Sequence, residues 1–308
     1  MEIEKIVLVT RKTRLEGLVE RFNTREQARF YLDHSGGDFS RYEAEHAVYV
    51  DALKNLREQL GRLGKLHVIE RGFLPGYLFT PHDLVVTLGM DGLVVNAAKY
   101  LDGQPIVAVN PDPARIDGIL LPFTLGQAAQ AVRGVLRGEF RARRISMAEA
   151  ALADGQRLLA FNDLFIGARS HVSARYQLDW AGRQEHHSSS GIIVSTGAGS
   201  TGWLSSLFNM ANGMQAAFGG GPTLAAPRMD WESEWLTFVV REPFASKFSA
   251  AGLVCGAITP ESPLVVQSEM PEGGVIFSDG VESDTLAFTS GARAEIRLAQ
   301  RKTVLVVS

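Results

Sequence analysis

A single cysteine, Cys255, stands in this chain of 308 residues. That excludes an intrachain disulfide framework and any metal cluster built on cysteine. Charge of one sign is lacking too. Lys plus Arg number 31 against 34 Asp plus Glu, for a net charge of -3 and a pI near 6.2. With no basic excess, neither nucleic acid nor an anionic membrane is an expected partner. No run approaches the ~18 apolar residues of a membrane-spanning helix. The stretch Met1–Lys5 has no signal-peptide pattern, and the expectation is a cytoplasmic protein. His34 and His46 are too isolated to read as metal ligands, and no metal site made of protein side chains is expected. Arg133, Arg137, Arg141, Arg143 and Arg144 are flanked by Glu139 and Glu149 and read as a solvated helix end. There is no internal repeat and no low-complexity segment.

What is present is an ordinary globular composition, 45% hydrophobic and 21% charged. The length exceeds what one core of ~250–300 residues usually reaches, which points to two domains. Residues 1–141 alternate short apolar runs with helical stretches: Ile6–Val9, Leu66–Ile69, Leu84–Leu88 and Pro105–Asn110 as strands, with helices over Arg14–Leu32, Tyr42–Leu63, Leu93–Leu101 and Leu125–Leu136. Strands separated by helices read as an open, mostly parallel α/β sheet, whose functional residues lie past the strand C-termini. Residues 142–308 change texture. Short β-like runs at 158–161, 164–166, 173–178, 191–194, 236–240, 264–266, 275–277, 294–298 and 304–307 are separated by turn residues. A helix from about Ser200 to Phe218 interrupts a mainly β, sandwich-like second domain.

Two glycine clusters carry the chemistry. Gly89-Met90-Asp91-Gly92 follows a strand and opens a helix. That arrangement turns backbone N–H groups toward an anion and lets it come close. A carboxylate beside phosphates is repelled unless it binds a metal or takes a proton from a nucleophile, so Asp91 is the candidate catalytic group. The bland alternative is a tight turn with Asp91 capping the next helix. In the second cluster, Ser195-Thr196-Gly197-Ala198-Gly199-Ser200-Thr201-Gly202-Trp203 again follows a strand and opens a helix. Its hydroxyls can bond ribose or amide groups, and its indole can pack on a base. Helix capping explains the hydroxyls but not three glycines and a tryptophan together. Asn162-Asp163 alone reads as a turn pair, and Asp279-Gly280 as a β-turn left outside the candidate site.

In order and spacing these segments resemble the NAD kinase family, whose pattern has a Gly-Gly-Asp-Gly turn, an Asn-acid pair and a Thr-Gly-Ser-Thr type segment. The matching stretches here are Gly89–Gly92, Asn162-Asp163 and Thr196–Thr201. Asn110–Pro113, Ser189–Gly191, Arg241–Pro243 and Asp279-Gly280 agree further and look closest to the mitochondrial-type branch. The resemblance implies an α/β domain followed by a β-rich one, with both nucleotides bound in the cleft between them. It implies phosphoryl transfer from ATP with Mg²⁺ to the adenosine-ribose 2′-hydroxyl of NAD. Asp91 would be the catalytic acid, with Gly89, Gly92 and Asn110 on the nucleotide phosphates. Asn162, Asp163, Gly199, Ser200, Thr201, Trp203 and Ser206 would line NAD, and a homo-oligomer, a dimer, is implied as well.

The sequence departs from that pattern at Met90 for glycine, Leu93 for threonine, Asp163 for glutamate, Trp203 for tyrosine and Ser190 for aspartate. If position 90 requires φ > 0, methionine there costs about 1–2 kcal/mol or forces another turn, and beside Asp91 its side chain can crowd a triphosphate. Two further readings follow: a kinase of another hydroxyl substrate such as a lipid or nucleoside, and a catalytically weak NAD(P)-binding sensor.

Overall fold

The computed structural model describes residues 2–308, so Met1 of the leader reading lies outside it. The chain forms two compact units, one of residues 1–143 with 303–308 and one of residues 144–302.

The first unit is built on four parallel strands, β1 (Lys5–Thr10), β2 (Leu66–Glu70), β3 (Asp83–Leu88) and β4 (Pro105–Asn110), in the order β4-β3-β1-β2. Every residue of β3 and β4 is buried, as expected where both sheet faces are covered. Around them lie α1 (Arg14–Phe22), α2 (Arg25–His34), α3 (Phe39–Gly61), α4 (Asp91–Ala98), the short β5 (Phe123–Thr124) beside β4, and α5 (Leu125–Arg137). One face of the sheet (Ile6, Leu8, Leu84, Val86, Leu88, Val107, Val109) packs on Tyr49, Ala52, Leu56 and Leu60 of α3 and Ala128, Val132 and Val135 of α5. The strand order reverses between β1 and β3. In open α/β sheets that switch opens a crevice outside the carboxyl ends, where Arg11 and the Gly89 turn emerge.

The expected single helix over Arg14–Leu32 is two. Asn23 adopts a left-handed conformation (φ 65) that ends α1, and the Thr24 hydroxyl caps α2 by accepting from Gln27 N–H at 3.1 Å. Asparagine tolerates that conformation and threonine favours the cap, so a hydrophobic pattern spanning both helices hides the break.

The second unit is a sandwich. One antiparallel sheet of six strands runs β13-β12-β11-β8-β15-β16. The facing strands are β6 (Arg141–Leu152), β7 (Arg157–Ala160), β9 (Ala174–Trp180), β10 (Arg183–Ser189), β14 (Leu264–Ser268) and the first part of β17 (Arg293–Val307). The six are β8 (Asp163–Ala168), β11 (Ile192–Ser195), β12 (Leu236–Val240), β13 (Cys255–Ile258), β15 (Gly274–Ser278) and β16 (Val281–Ala287). Leu164, Ile166, Ile192, Val194, Phe238 and Ile276 meet Ala148, Tyr176, Leu178, Leu264, Val266 and Ile296 in one core. Residues one step out of phase, Phe165, Ile193 and Val275, face the other side. There they pack against Trp203 and Leu207 of α6 (Trp203–Phe218).

Five strands had no sequence expectation: the two-residue β5, and β6, β10, β13 and β16. The arginine group read as a helix end is divided, with Arg133 and Arg137 on α5 and Arg141, Arg143 and Arg144 on β6. The runs 294–298 and 304–307 are one strand, β17. Its end belongs to the first unit, where Val304 and Leu305 pair with Pro105 and Ile106 of β4.

Candidate functional site

In the first unit, β3 ends at Leu88 and the chain turns at Gly89, whose N–H donates to Val109 O at 3.3 Å. A Cβ on Gly89 would stand 3.0 Å from Leu93 Cδ2 and 3.4 Å from Arg11 Cδ, so the turn is closed on glycine. Met90 adopts φ −96 and ψ 170, extended backbone open to any residue. The backbone strain expected of methionine at this position does not arise, while its side chain stays half exposed beside Asp91. Asp91 is the first residue of α4, and its Oδ1 accepts the Leu120 N–H at 2.7 Å. A Cβ on Gly92 would meet nothing within 4 Å, which leaves room over the start of α4.

Asn110 ends β4, one strand away. Its Oδ1 accepts from Asp112 N–H and its Nδ2 donates to Ile116 O, each at 2.9 Å. Both ends of this amide therefore shape the loop that continues to Leu120, the residue that holds Asp91. Gly89, Asp91, Gly92 and Asn110 thus form one group, in which Asn110 acts on Asp91 through its loop.

The second unit brings three sequence segments together. Thr196 N–H donates to Asn162 O at 2.9 Å, Thr196 Oγ1 donates to Phe161 O at 2.6 Å, and Gly199 N–H donates to Thr196 Oγ1 at 3.2 Å. A Cβ on Gly199 would fall 2.2 Å from Asn162 O, and one on Gly197 would fall 1.8 Å from Asp230 O. Two of the three glycines are thus required by close chain packing, a reason that motif reading alone does not supply.

The third segment is Asp279, which the sequence reading left out. Its carboxylate accepts three successive backbone N–H groups, from Phe161 at 3.0 Å, Asn162 at 2.7 Å and Asp163 at 3.2 Å. Asp279 (φ 54) and Gly280 (φ 69) do form the expected turn, and the turn aims the carboxylate at the Asn162-Asp163 pair.

Asp163 opens β8 and pairs in register with Ser195. Its Oδ1 is buried with no hydrogen-bond partner among the described residues. Burial pushes this carboxyl up to about 7; the nearby Asp279 charge adds to the rise and the Ser195 hydroxyl opposes it. A buried, unsatisfied acceptor of this kind fits a ligand hydroxyl.

The remaining candidates sit at the start of α6. Ser200 Oγ is engaged with Gly197 O at 2.7 Å, and Ser206 Oγ with Gly202 O at 3.3 Å, while Thr201 is exposed. The Trp203 ring lies parallel to Phe165 at 6.0 Å, and the Arg241 guanidinium is 5.4 Å from its centroid. The indole is thus part of the packing under α6.

No family model matches the chain. Against curated proteins, it is 30% identical over 159 residues to the NAD kinase of Syntrophotalea carbinolica, which is 49% of this chain and 52% of that protein. It is 26% identical over 250 residues to mitochondrial NAD kinase 2 of Homo sapiens, 65% of this chain and 57% of that protein. The chain thus spans about half the length of the curated relatives it matches. Among solved structures, its fold is similar to yeast NADH kinase complexed with NADH (TM-score 0.59, 14% identity, 100% of this chain and 84% of that one). It is also similar to an NAD kinase from Archaeoglobus fulgidus in complex with ATP (TM-score 0.56, 17% identity, 98% and 92%). The α/β-then-β architecture expected from sequence is the fold observed.

Proposed function

We propose that this chain, a relative of the NAD kinases in sequence and in fold, transfers a phosphoryl group from ATP to the adenosine-ribose 2′-hydroxyl of NAD. The observation that carries the reading is the seat of Asp91: it lies at the sheet's switch point, at the start of a helix, with its carboxylate oriented by Leu120 N–H. Phosphoryl transfer asks mostly for positioning and charge neutralisation. A carboxylate so held accepts or aligns the proton of an attacking hydroxyl. Gly92 leaves room for phosphate oxygens over the N–H groups that open α4, Gly89 lets the turn pack closely on Leu93 and Arg11, and Asn110 keeps the Asp91 loop in shape.

The dinucleotide falls to the second unit in this reading. Asn162 offers adenine both a donor and an acceptor, and the buried Asp163 oxygen accepts a ribose hydroxyl. Gly199, Ser200, Thr201, Trp203 and Ser206 complete the lining. A relative of the same fold is solved with NADH and another with ATP, which supports both ligands here.

Among the described residues no group of three His, Cys, Asp or Glu side chains could hold a metal ion. Mg²⁺ needs only one or two carboxylates beside phosphate oxygens. Asp91 would contribute there, and the ion would neutralise phosphate charge when bound. No helix of the described residues is long and apolar enough to cross a membrane. The resemblance to the NAD kinases is the ground for a homo-oligomer, which light scattering measures directly.

The test is an end-point assay with purified protein, ATP, Mg²⁺ and NAD or NADH. The product is read by a dehydrogenase specific for the 2′-phosphorylated dinucleotide. Product with NAD is expected; NAD binding without product would sink the kinase reading.

A further inference from the structure

Three elements of the first unit meet at one phenol. Tyr49 lies midway along α3 and is only 3% exposed. Its ring belongs to the core beneath the sheet, with Leu8, Leu84 and Leu88. Strands β1 and β3 keep register as far as Val9 and Thr87. Beyond that pair lies the switch point, and there the Tyr49 hydroxyl joins the two chains. It accepts the Arg11 N–H at 2.9 Å and donates to Leu88 O at 3.1 Å. A hydroxyl has one proton to give and lone pairs to receive, so both bonds form at once. Burial pushes this phenol above its ordinary value, against the opposing effect of the Arg11 N–H, and so keeps on the oxygen the proton that Leu88 accepts.

The consequence falls on the turn that carries Asp91. The Leu88–Gly89 peptide is planar, and both its polar ends are held, the carbonyl by Tyr49 and the N–H by Val109 O at 3.3 Å. Two residues on, Asp91 opens α4, where Leu93 N–H closes on Met90 O at 2.8 Å. Leu120 N–H orients the carboxylate; the clamped peptide sets where the backbone delivers it. Without the hydroxyl a buried carbonyl and a sheltered N–H lose this partner, and the peptide is free to rotate toward others.

We infer that Tyr49 is a positioning residue, whose hydroxyl fixes the Leu88–Gly89 peptide and through it the place of Asp91. This deepens the kinase reading and rests on it for the reaction concerned. A displacement of about 1 Å at a reacting group costs up to ~10²-fold in rate, so a bond outside the reacting atoms is felt in turnover.

The experiment compares wild type with Y49F, which keeps the ring and removes only the hydroxyl. The control is Q104L, at the other end of the same strands. Gln104 is buried, and its amide bonds Thr80 O and Asp102 N–H. NADP formation is measured well below the thermal midpoints, and amide hydrogen exchange at Gly89 is read relative to the core amide of Val132. Y49F should lower kcat at least tenfold with KM for NAD and ATP within threefold, and should speed Gly89 exchange at least tenfold. Q104L should lower the midpoint and leave kcat within twofold. A Y49F kcat within threefold of wild type would overturn the inference, as would an equal loss in Q104L, which would make turnover a matter of stability alone. Should Y49F fail to fold, exchange in wild type decides: an Arg11 amide protected like that of Val9 supports the clasp, and one as open as exposed Lys12 overturns it. Faster Gly89 exchange in Y49F with no NADP from wild type would leave the clasp standing and fell the kinase reading. NADP from wild type and an undiminished kcat in Y49F would fell the positioning role alone.

Discussion

Replacing Asp279 by asparagine separates a residue that merely makes a turn from one that aims the Asn162-Asp163 pair. Asparagine tolerates the left-handed conformation of this position (φ 54), so the turn survives. What changes is the acceptor set. The carboxylate takes the N–H groups of Asn162 and Asp163 on Oδ1 and that of Phe161 on Oδ2. An amide keeps one oxygen for the first two and turns an NH₂ toward the third. One hydrogen bond is lost and two lose their charge assistance. At about 1.5–3 kcal/mol for a bond to a charged group against ~1 for a neutral one, the cost is roughly 2.5–7 kcal/mol. For a unit of this size that lowers the thermal midpoint by about 5–28 °C, at ~2–4 °C per kcal/mol. Part of the cost is recovered at Asp163, whose carboxyl no longer faces a second charge. Calorimetric titration should show NAD affinity down at least tenfold while affinity for ATP changes less than threefold. A variant with both its midpoint and its NAD affinity unchanged would refute the positioning role.

Substituting the two glycine clusters should give opposite outcomes. G199A drives a methyl into Asn162 O, 2.2 Å from the ideal Cβ, and should cost about 1–3 kcal/mol or more by overpacking, read from denaturant unfolding. G92A meets nothing within 4 Å; it should hold or raise stability by about 0.5–1 kcal/mol yet raise the KM for ATP, and unchanged kinetics would remove Gly92 from the phosphate site. Because Met90 is already extended, M90G should not raise kcat more than twofold. Asp163 makes stability depend on pH: its carboxyl ionises near its ordinary 3.8 when unfolded and at about 7 when folded. Between those values the folded chain keeps a proton that the unfolded chain has shed, so stability falls with rising pH by up to about 1.4 kcal/mol per pH unit and levels off above pH 7. D163N should flatten that slope in urea titrations from pH 5 to 8; an identical slope would contradict it.

Much of the fold could be read from the chain because its signals are local. Continuous apolar runs marked β1, β3 and β4, and turn residues every few positions marked much of the sandwich. The strands that escaped are those whose reason lies elsewhere in the chain. β6 (RARRISMAEAAL) is rich in alanine and charge, and pairing with β7 and β17 makes it a strand. β10 (RQEHHSS) is polar throughout and follows β9 through a tight hairpin at Ala181 (φ 52) and Gly182 (φ 73), where a left-handed alanine gives no warning. The same division holds at the site. Asp91 announces itself through its flanking glycines. Asp279 reads as a β-turn because it is one, and its three acceptor bonds reach back more than a hundred residues.

The most direct test of the central claim is Asp91→Asn, assayed for NADP formation and titrated with NAD in the same preparation. Asparagine keeps an oxygen for the Leu120 N–H, now met at 2.7 Å, so the loop and turn should persist and only the proton acceptor is lost. The account predicts turnover reduced by about 10²–10⁴-fold, with NAD affinity within threefold of wild type. Turnover within a few-fold of wild type, in a folded variant that still binds NAD, would contradict it.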